Sequence, residues 1–374
     1  MKKKLLAVAV AGALTAPVAA FAQSSVTITG FFKGGFESLK YSNSAKANQS
    51  QTGVVDDSSR VIFNVREDLG GGLAAIGQID MRFGLDSGAL AANGNNHVGL
   101  QSKSWGRIFI GRQDLHYFGR ESNLTAKGSL RADSISILAF AGGGGVAIAN
   151  ASRTPNVIHY TTPNWNGFSM IAAYSSQPVT AGAGAAAEAD IGSGQRKGRA
   201  WNLAPVYAAK NWTVGYSYWT RKQDAGGNTV GTGDQRGDRL FGSYTFPMGL
   251  KIGLAWDKSK IKGALNGVEL SNRTAWSLPL SYTWGNHEIH AHFDKARNDK
   301  ATVADDAASM FAIAYAYNLS KRTSAALTYA RINNKAGAAY NLFTSAALGL
   351  GAGTGAIAAG EDPRMWGVTL RHAF

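Results

Sequence analysis

The densest set of candidate ligands in this sequence is His287-Glu288-Ile289-His290-Ala291-His292, with Asp294 two residues further on. Imidazole and carboxylate this close together suit metal binding or proton transfer, so the spacing has to decide. A zinc-protease helix needs a second histidine four residues after the first, and position 291 is Ala. On a strand, Glu288, His290, His292 and Asp294 would share one face, which suits a pH-sensitive wet patch better than a metal site. The alternating glycines from Gly349 to Gly355 lack the strand–helix setting that a nucleotide site requires. Serine, histidine and acid are all present, but no nucleophile elbow marks a catalytic serine. The chain has no cysteine, which removes thiol chemistry and disulfides. Neither catalysis nor a cofactor is called for.

What remains is charge. Lys and Arg number 38 against 24 Asp and Glu, a net of +14. Such a balance raises nucleic acid as a partner. Two features argue against it: the basic residues are spread singly, and the N-terminus reads as an export signal. Lys2, Lys3 and Lys4 precede the apolar stretch Leu5 to Leu14, and Ala20-Phe21-Ala22 fits a small-x-small cleavage site. We therefore expect residues 1–22 to be a cleaved signal peptide and 23–374 the mature chain. Dispersed positive charge can bias a pore toward anions or meet lipid phosphates at a membrane surface.

The elements that carry these residues are strands. In the last eleven residues Trp366, Val368, Leu370, His372 and Phe374 alternate with small or polar side chains. At the start, Val26, Ile28, Gly30, Phe32, Gly34 and Phe36 share one face, with Thr27, Thr29, Lys33 and Glu37 on the other. Similar segments recur in pairs, joined by short turns such as Gly70-Gly71-Gly72 and Lys210-Asn211, with long polar loops between the pairs. One opening strand, seven hairpins and one closing strand predict a 16-stranded antiparallel up-and-down transmembrane β-barrel, all-β in class. Trp105, Trp165, Trp212, Phe246, Trp284 and Phe374 sit at the short-turn ends, as an interfacial belt at one membrane face would. Pro205 and Pro279 fall inside strands, where bulges or a misplaced boundary are expected. The uncharged run Phe343 to Gly360 reads as a mobile loop, and Thr180 to Ala187 as low-complexity loop.

With those segments in order, the chain resembles the general porins of the Gram-negative outer membrane, the beta-proteobacterial type. The matching residues span the mature chain. They include Ser24-Ser25-Val26-Thr27-Ile28-Thr29-Gly30, Ser59-Arg60 with Glu67-Asp68-Leu69-Gly70-Gly71-Gly72-Leu73, and Gly106-Arg107-Ile108-Phe109-Ile110-Gly111-Arg112-Gln113. Further on come Arg153-x-x-Asn156-x-Ile158-x-Tyr160-x-x-Pro163, then Tyr317-x-Leu319-Ser320-Lys321-Arg322-Thr323 and Leu370-Arg371-His372-x-Phe374. The resemblance implies a homotrimer in outer-membrane lipid and lipopolysaccharide, with the third long loop folded into the lumen. It also implies a terminal Phe374 read by the barrel-assembly machinery.

That third connection runs from His116 to Ser152, long enough for a functional loop. A constriction there would carry the acids Glu121 and Asp133, with Asp114 at its root. Opposite it, porins place a ladder of basic residues. Arg60 and Arg153 match two ladder positions and alternation points both inward; Lys33, Arg66 and Arg82 share the lumen face by alternation alone. The fourth strand has Gly94 and Asn95 where the family often supplies an arginine, so a thinner ladder is expected. The implied function is passive diffusion of small hydrophilic solutes with anions favoured. Two other readings stay open: a channel specific for phosphate or a dicarboxylate, and an enzyme or adhesin on a plugged barrel.

Overall fold

The computed structural model describes residues 24–43, 50–91, 94–116, 133–139, 153–176, 178, 198–223, 232–263, 267–343 and 357–374. The signal segment, Glu121 and the tract 180–187 lie outside the described residues. The strand segments are β1 (Ser25–Ser42), β2 (Ser50–Asp56), β3 (Arg60–Gly70), β4 (Leu73–Phe83), β5 (Leu90–Ala91) and β6 (Asn96–Ser102). They continue as β7 (Gly106–Gln113), β8 (Thr154–Thr161), β9 (Phe168–Ser175), β10 (Gly198–Ala208), β11 (Trp212–Gln223) and β12 (Thr232–Thr245). The last six are β13 (Leu250–Gly263), β14 (Glu269–Trp284), β15 (His287–Ala296), β16 (Ala308–Asn318), β17 (Thr323–Asn334) and β18 (Asp362–Ala373).

These eighteen segments form one closed antiparallel sheet. Two of its strands are each broken in the middle. β2 and β3 both lie along β1, and β5 and β6 both lie along β4, so the barrel has sixteen strands. The seam joins β1 to β18 from Phe31↔Ala373 to Ser42↔Asp362. Gly30 and Phe374 then exchange backbone hydrogen bonds at 3.2 and 3.1 Å, carrying the ladder to the last residue. Closure matters because an unpaired edge in hydrocarbon leaves N–H and C=O groups with no partner.

The expected loop 40–57 is mostly strand: β1 runs on to Ser42 and β2 returns from Ser50. Pro205 and Pro279 cause no bulge. Pro205 pairs with Met170 and Pro279 with His292 in unbroken register, while the ladder to the other neighbour simply skips each proline. The short turn after β3 is possible because Gly70, Gly71 and Gly72 all take left-handed φ, at 83°, 60° and 79°.

Outside the barrel the wall is apolar: Val54, Leu254, Val368 and Leu370 are all more than half exposed. Aromatics at the short-turn end form the expected belt, including Tyr207–Trp212 and Tyr282–Trp284 with ring centroids 5.1 and 5.2 Å apart. A second belt lies toward the long loops, in cross-strand neighbours such as Trp256↔Trp276, Phe293↔Phe311 and Tyr329↔Trp366. Trp276 and Trp284 belong to opposite belts on one strand; at ~3.4 Å per residue they stand about 27 Å apart, matching an apolar band of about 25 Å.

Candidate functional site

The two strand breaks shape the site. Between β2 and β3, the Ser59 backbone N–H donates to the Asp56 carboxylate at 3.3 and 3.2 Å, and Ser59 exchanges hydrogen bonds with the Lys33 backbone at 2.9 and 3.2 Å. The Lys33 ammonium is held by Asp57, so it is spent inside this corner instead of standing free in the lumen. Arg60 follows at once. Its Nε donates to the Ser58 carbonyl at 3.1 Å, and its guanidinium lies 4.8 Å from the Phe31 ring.

Arg60 then reaches the buried Asp80 at 3.6 Å, and Arg82 reaches the same carboxylate oxygen at 3.3 Å. The second break braces Asp80. Asn95 takes the Asp80 carboxylate on its backbone N–H at 3.3 Å, donates through its side-chain amide to Asp114 at 2.9 Å, and accepts the Asp114 N–H at 2.8 Å. Asp114 in turn accepts the Arg153 N–H at 3.2 Å. Gly94 allows the close approach, since a Cβ there would fall 2.0 Å from the Asp80 Cγ. The residues expected to thin the ladder are therefore the ones that hold it together.

Arg153 itself sits at φ 43°, a left-handed conformation that strains a side-chain-bearing residue. Burial, then the Arg82 charge, lowers its guanidinium from the ordinary arginine value, while Asp114 and Asp80 pull the other way. Arg112 joins the same field, facing the charges of Asp114 and Arg82. Four arginines and two aspartates thus form one wall: Arg60, Arg82, Arg112 and Arg153 about Asp80 and Asp114.

Alternation alone did not find Arg112. The register shift between Gly111 and Gln113 interrupts the period-two pattern there, and only its neighbours in the Gly106–Gln113 motif hinted at a role. Arg66 shares the inward face but not the cluster: it is exposed near the short-turn end, its nearest recorded partner the Gln101 amide oxygen at 3.4 Å. Asp114 belongs to the basic wall and does not oppose it.

The described part of the third connection lies inside the barrel. Its short helix α1 (Ile135–Leu138) packs on β14, β15 and β16, with all four residues buried. Arg273 donates to the Ile137 carbonyl, and Arg239 to that of Leu138 at 3.4 Å. Asp133 caps the segment, accepting the Ile135 N–H at 3.0 Å; its charged surroundings are His292 and Asp294, not the arginine wall. The last long loop joins in. Ala338, Tyr340, Asn341 and Leu342 are buried, and the Phe343 N–H donates to Ser136 Oγ at 2.8 Å. The start of that loop is thus packed in place; residues 344–356 lie outside the described residues.

The histidine strand does share one lumen-side face, but it is buried and not wet. His290 pairs with Glu288 at 3.0 Å and His292 with Asp294 at 2.6 Å. Among the described residues no three histidines or acids are grouped to hold a metal ion.

The barrel, its inward segment and its charged wall have counterparts. A family model described as Gram-negative porin matches residues 7–337. The chain belongs to the Gram-negative porin family. Outer membrane porin protein 32 of Delftia acidovorans is 30% identical, with both chains covered in full. An outer-membrane porin of Bordetella pertussis is 27% identical over 87% of this porin and 92% of that one. Among solved structures, an anion-selective porin from Comamonas acidovorans superposes with a TM-score of 0.77 at 24% identity, covering 94% of this porin and all of that chain. The trimer form of OmpT from Vibrio cholerae gives 0.64 at 14% identity, over 94% and 99%. This porin is a protein of the Gram-negative outer membrane, a 16-stranded channel-forming barrel.

Proposed function

We propose that this porin passes small hydrophilic solutes by diffusion, favours anions, and selects at the wall formed by Arg60, Arg82, Arg112 and Arg153. The observation that carries this is the charge count on that wall: four guanidinium groups against two carboxylates, held by buried hydrogen bonds. A fixed positive surplus beside a low-dielectric wall raises the local anion concentration and repels cations. The name of the Comamonas acidovorans neighbour, an anion-selective porin, supports the same reading. Nothing in it requires catalysis, a cofactor or an energy source; it is a channel and not an enzyme.

The rest of the proposal concerns biogenesis and assembly. Residues 1–22 are removed on export, and residues 116–152 serve as the constriction loop, with Glu121 as its remaining acid candidate. The mature chain forms a homotrimer in outer-membrane lipid, and Phe374 is presented to the barrel-assembly machinery. Reversal potentials of the purified porin in a salt gradient test the selectivity. Anion preference is expected, and cation preference would overturn the reading.

A further inference from the structure

The outer wall carries a second, separate distribution of charge. Among the described strand residues that face away from the lumen, every lysine and arginine lies toward the long-loop end. The short-turn end offers Trp212, Tyr282, Trp284 and Tyr317 instead. The densest part spans β10 to β13, immediately above the upper aromatic belt. Lys258 is two residues above Trp256 on the same outward face, and Lys260 and Lys262 continue the row. Arg236 stands directly opposite Lys260, and Arg199 directly opposite Lys222.

Like charges facing each other across a strand pair destabilise a sheet unless something neutralises them. Asp234 pairs with Lys222, Asp238 takes two hydrogen bonds from Arg236 at 2.9 and 3.2 Å, and Glu269 lies 3.7 Å from Lys260. Six cations against three acids leave a surplus of three positive charges on one face. Arg236 is also pre-positioned, with its guanidinium 5.5 Å from the Tyr218 ring. Such a surface, apolar below and cationic above, fits an amphiphile whose acyl chains lie on the wall and whose head group carries phosphate.

We propose that Arg236, Lys258 and Lys260, with Arg199, Lys222 and Lys262 around them, bind the phosphates of a phosphorylated glycolipid in the outer leaflet. The inference deepens the lipid contact proposed above and depends on no feature of the pore. The long loops mark the outward side of such a barrel, so the cations meet only the leaflet on that side.

The test is binding of bisphosphorylated lipid A and its dephosphorylated form to the purified mature porin in detergent, measured by native mass spectrometry, with conductance recorded on the same preparation. The phosphorylated form should bind about tenfold more tightly or better. The variant Arg236→Gln/Lys258→Gln/Lys260→Gln should lose that preference while its ion selectivity stays unchanged. Equal affinity for the two lipids, or an unchanged preference in the variant, would overturn the proposal. Displacement of the lipid by inorganic phosphate at the same concentration would overturn it too, since the site would then be one for free anions. Should the triple variant not fold, Lys258→Gln alone is expected to weaken the preference about two- to threefold, and no change there would count against the site. Failure of the channel reading is separate: it would appear as absent conductance in the unmodified protein.

Discussion

Arg239 Nε lies 3.0 Å from Asp257 Oδ2, and both side chains are fully buried. Asp257 also faces His116 at 3.7 Å and Arg273 at 3.8 Å, so one carboxylate balances the groups that hold both ends of the third connection. His116 begins that connection, and its Nδ1 is 2.9 Å from Ser217 Oγ, while Arg239 and Arg273 bind the carbonyls of α1. Removing one partner of a buried pair leaves a charge uncompensated, at a cost of about 3–5 kcal/mol. Asp257→Asn should therefore lower the temperature at which the folded barrel denatures and make single-channel current noisier as α1 loosens. A quiet channel of unchanged heat resistance would show that α1 is held by other contacts.

Arg60 is the wall residue whose charge is most directly presented, with Phe31 on one side and Asp80 on the other. Arg60→Glu exchanges one positive for one negative charge in the cluster. Its reversal potential in a salt gradient should shift toward cations, and Arg60→Ala should shift it less. A shift of the opposite sign would remove Arg60 from the selectivity wall.

Arg66 provides the control. It is exposed, close to the short-turn end, and no ion pair is recorded for it among the described residues. Arg66→Ala should change stability by no more than about 0.5 kcal/mol and leave the reversal potential where it was.

Arg153 separates charge from backbone strain. A left-handed residue with a Cβ costs about 1–2 kcal/mol that glycine avoids. Arg153→Gly and Arg153→Ala should weaken anion preference equally, but the glycine variant should be the more stable of the two in denaturant. Equal stability would mean that the backbone relaxes at this position.

The seam is sensitive at Gly30. A Cβ there would come within 2.2 Å of the Arg60 carbonyl oxygen and 2.9 Å of the Phe374 ring. Gly30→Ala should destabilise by about 1–3 kcal/mol through overpacking, read as a lower yield of heat-resistant barrel. Deleting Phe374 should also lower the yield, because the last pair of ladder bonds and the ring contact with Phe32 at 5.2 Å are lost together.

The period-two pattern determined most of the architecture by itself. Where Leu254, Trp256 and Lys258 face out and Asp257 and Ser259 face in, parity is a local property of the strand and survives whatever surrounds it. The alternation of short turns with long loops likewise made the barrel legible, and the aromatics at the turns revealed one of the two membrane belts.

The tertiary structure alone decided which inward charges meet. The two breaks interrupt parity, and they are fixed by hydrogen bonds between residues far apart in the chain, such as Asn95 to Asp114 and Arg153 to Asp114. No local period encodes them. They draw Arg112 and Asp114 into the wall beside Arg60, consume Lys33 in an ion pair with Asp57, and leave Arg66 behind near the turn. Asp133 was legible as a loop acid, but its seat against His292 and Asp294 depends on α1 packing across a barrel already closed, which only the folded chain can arrange.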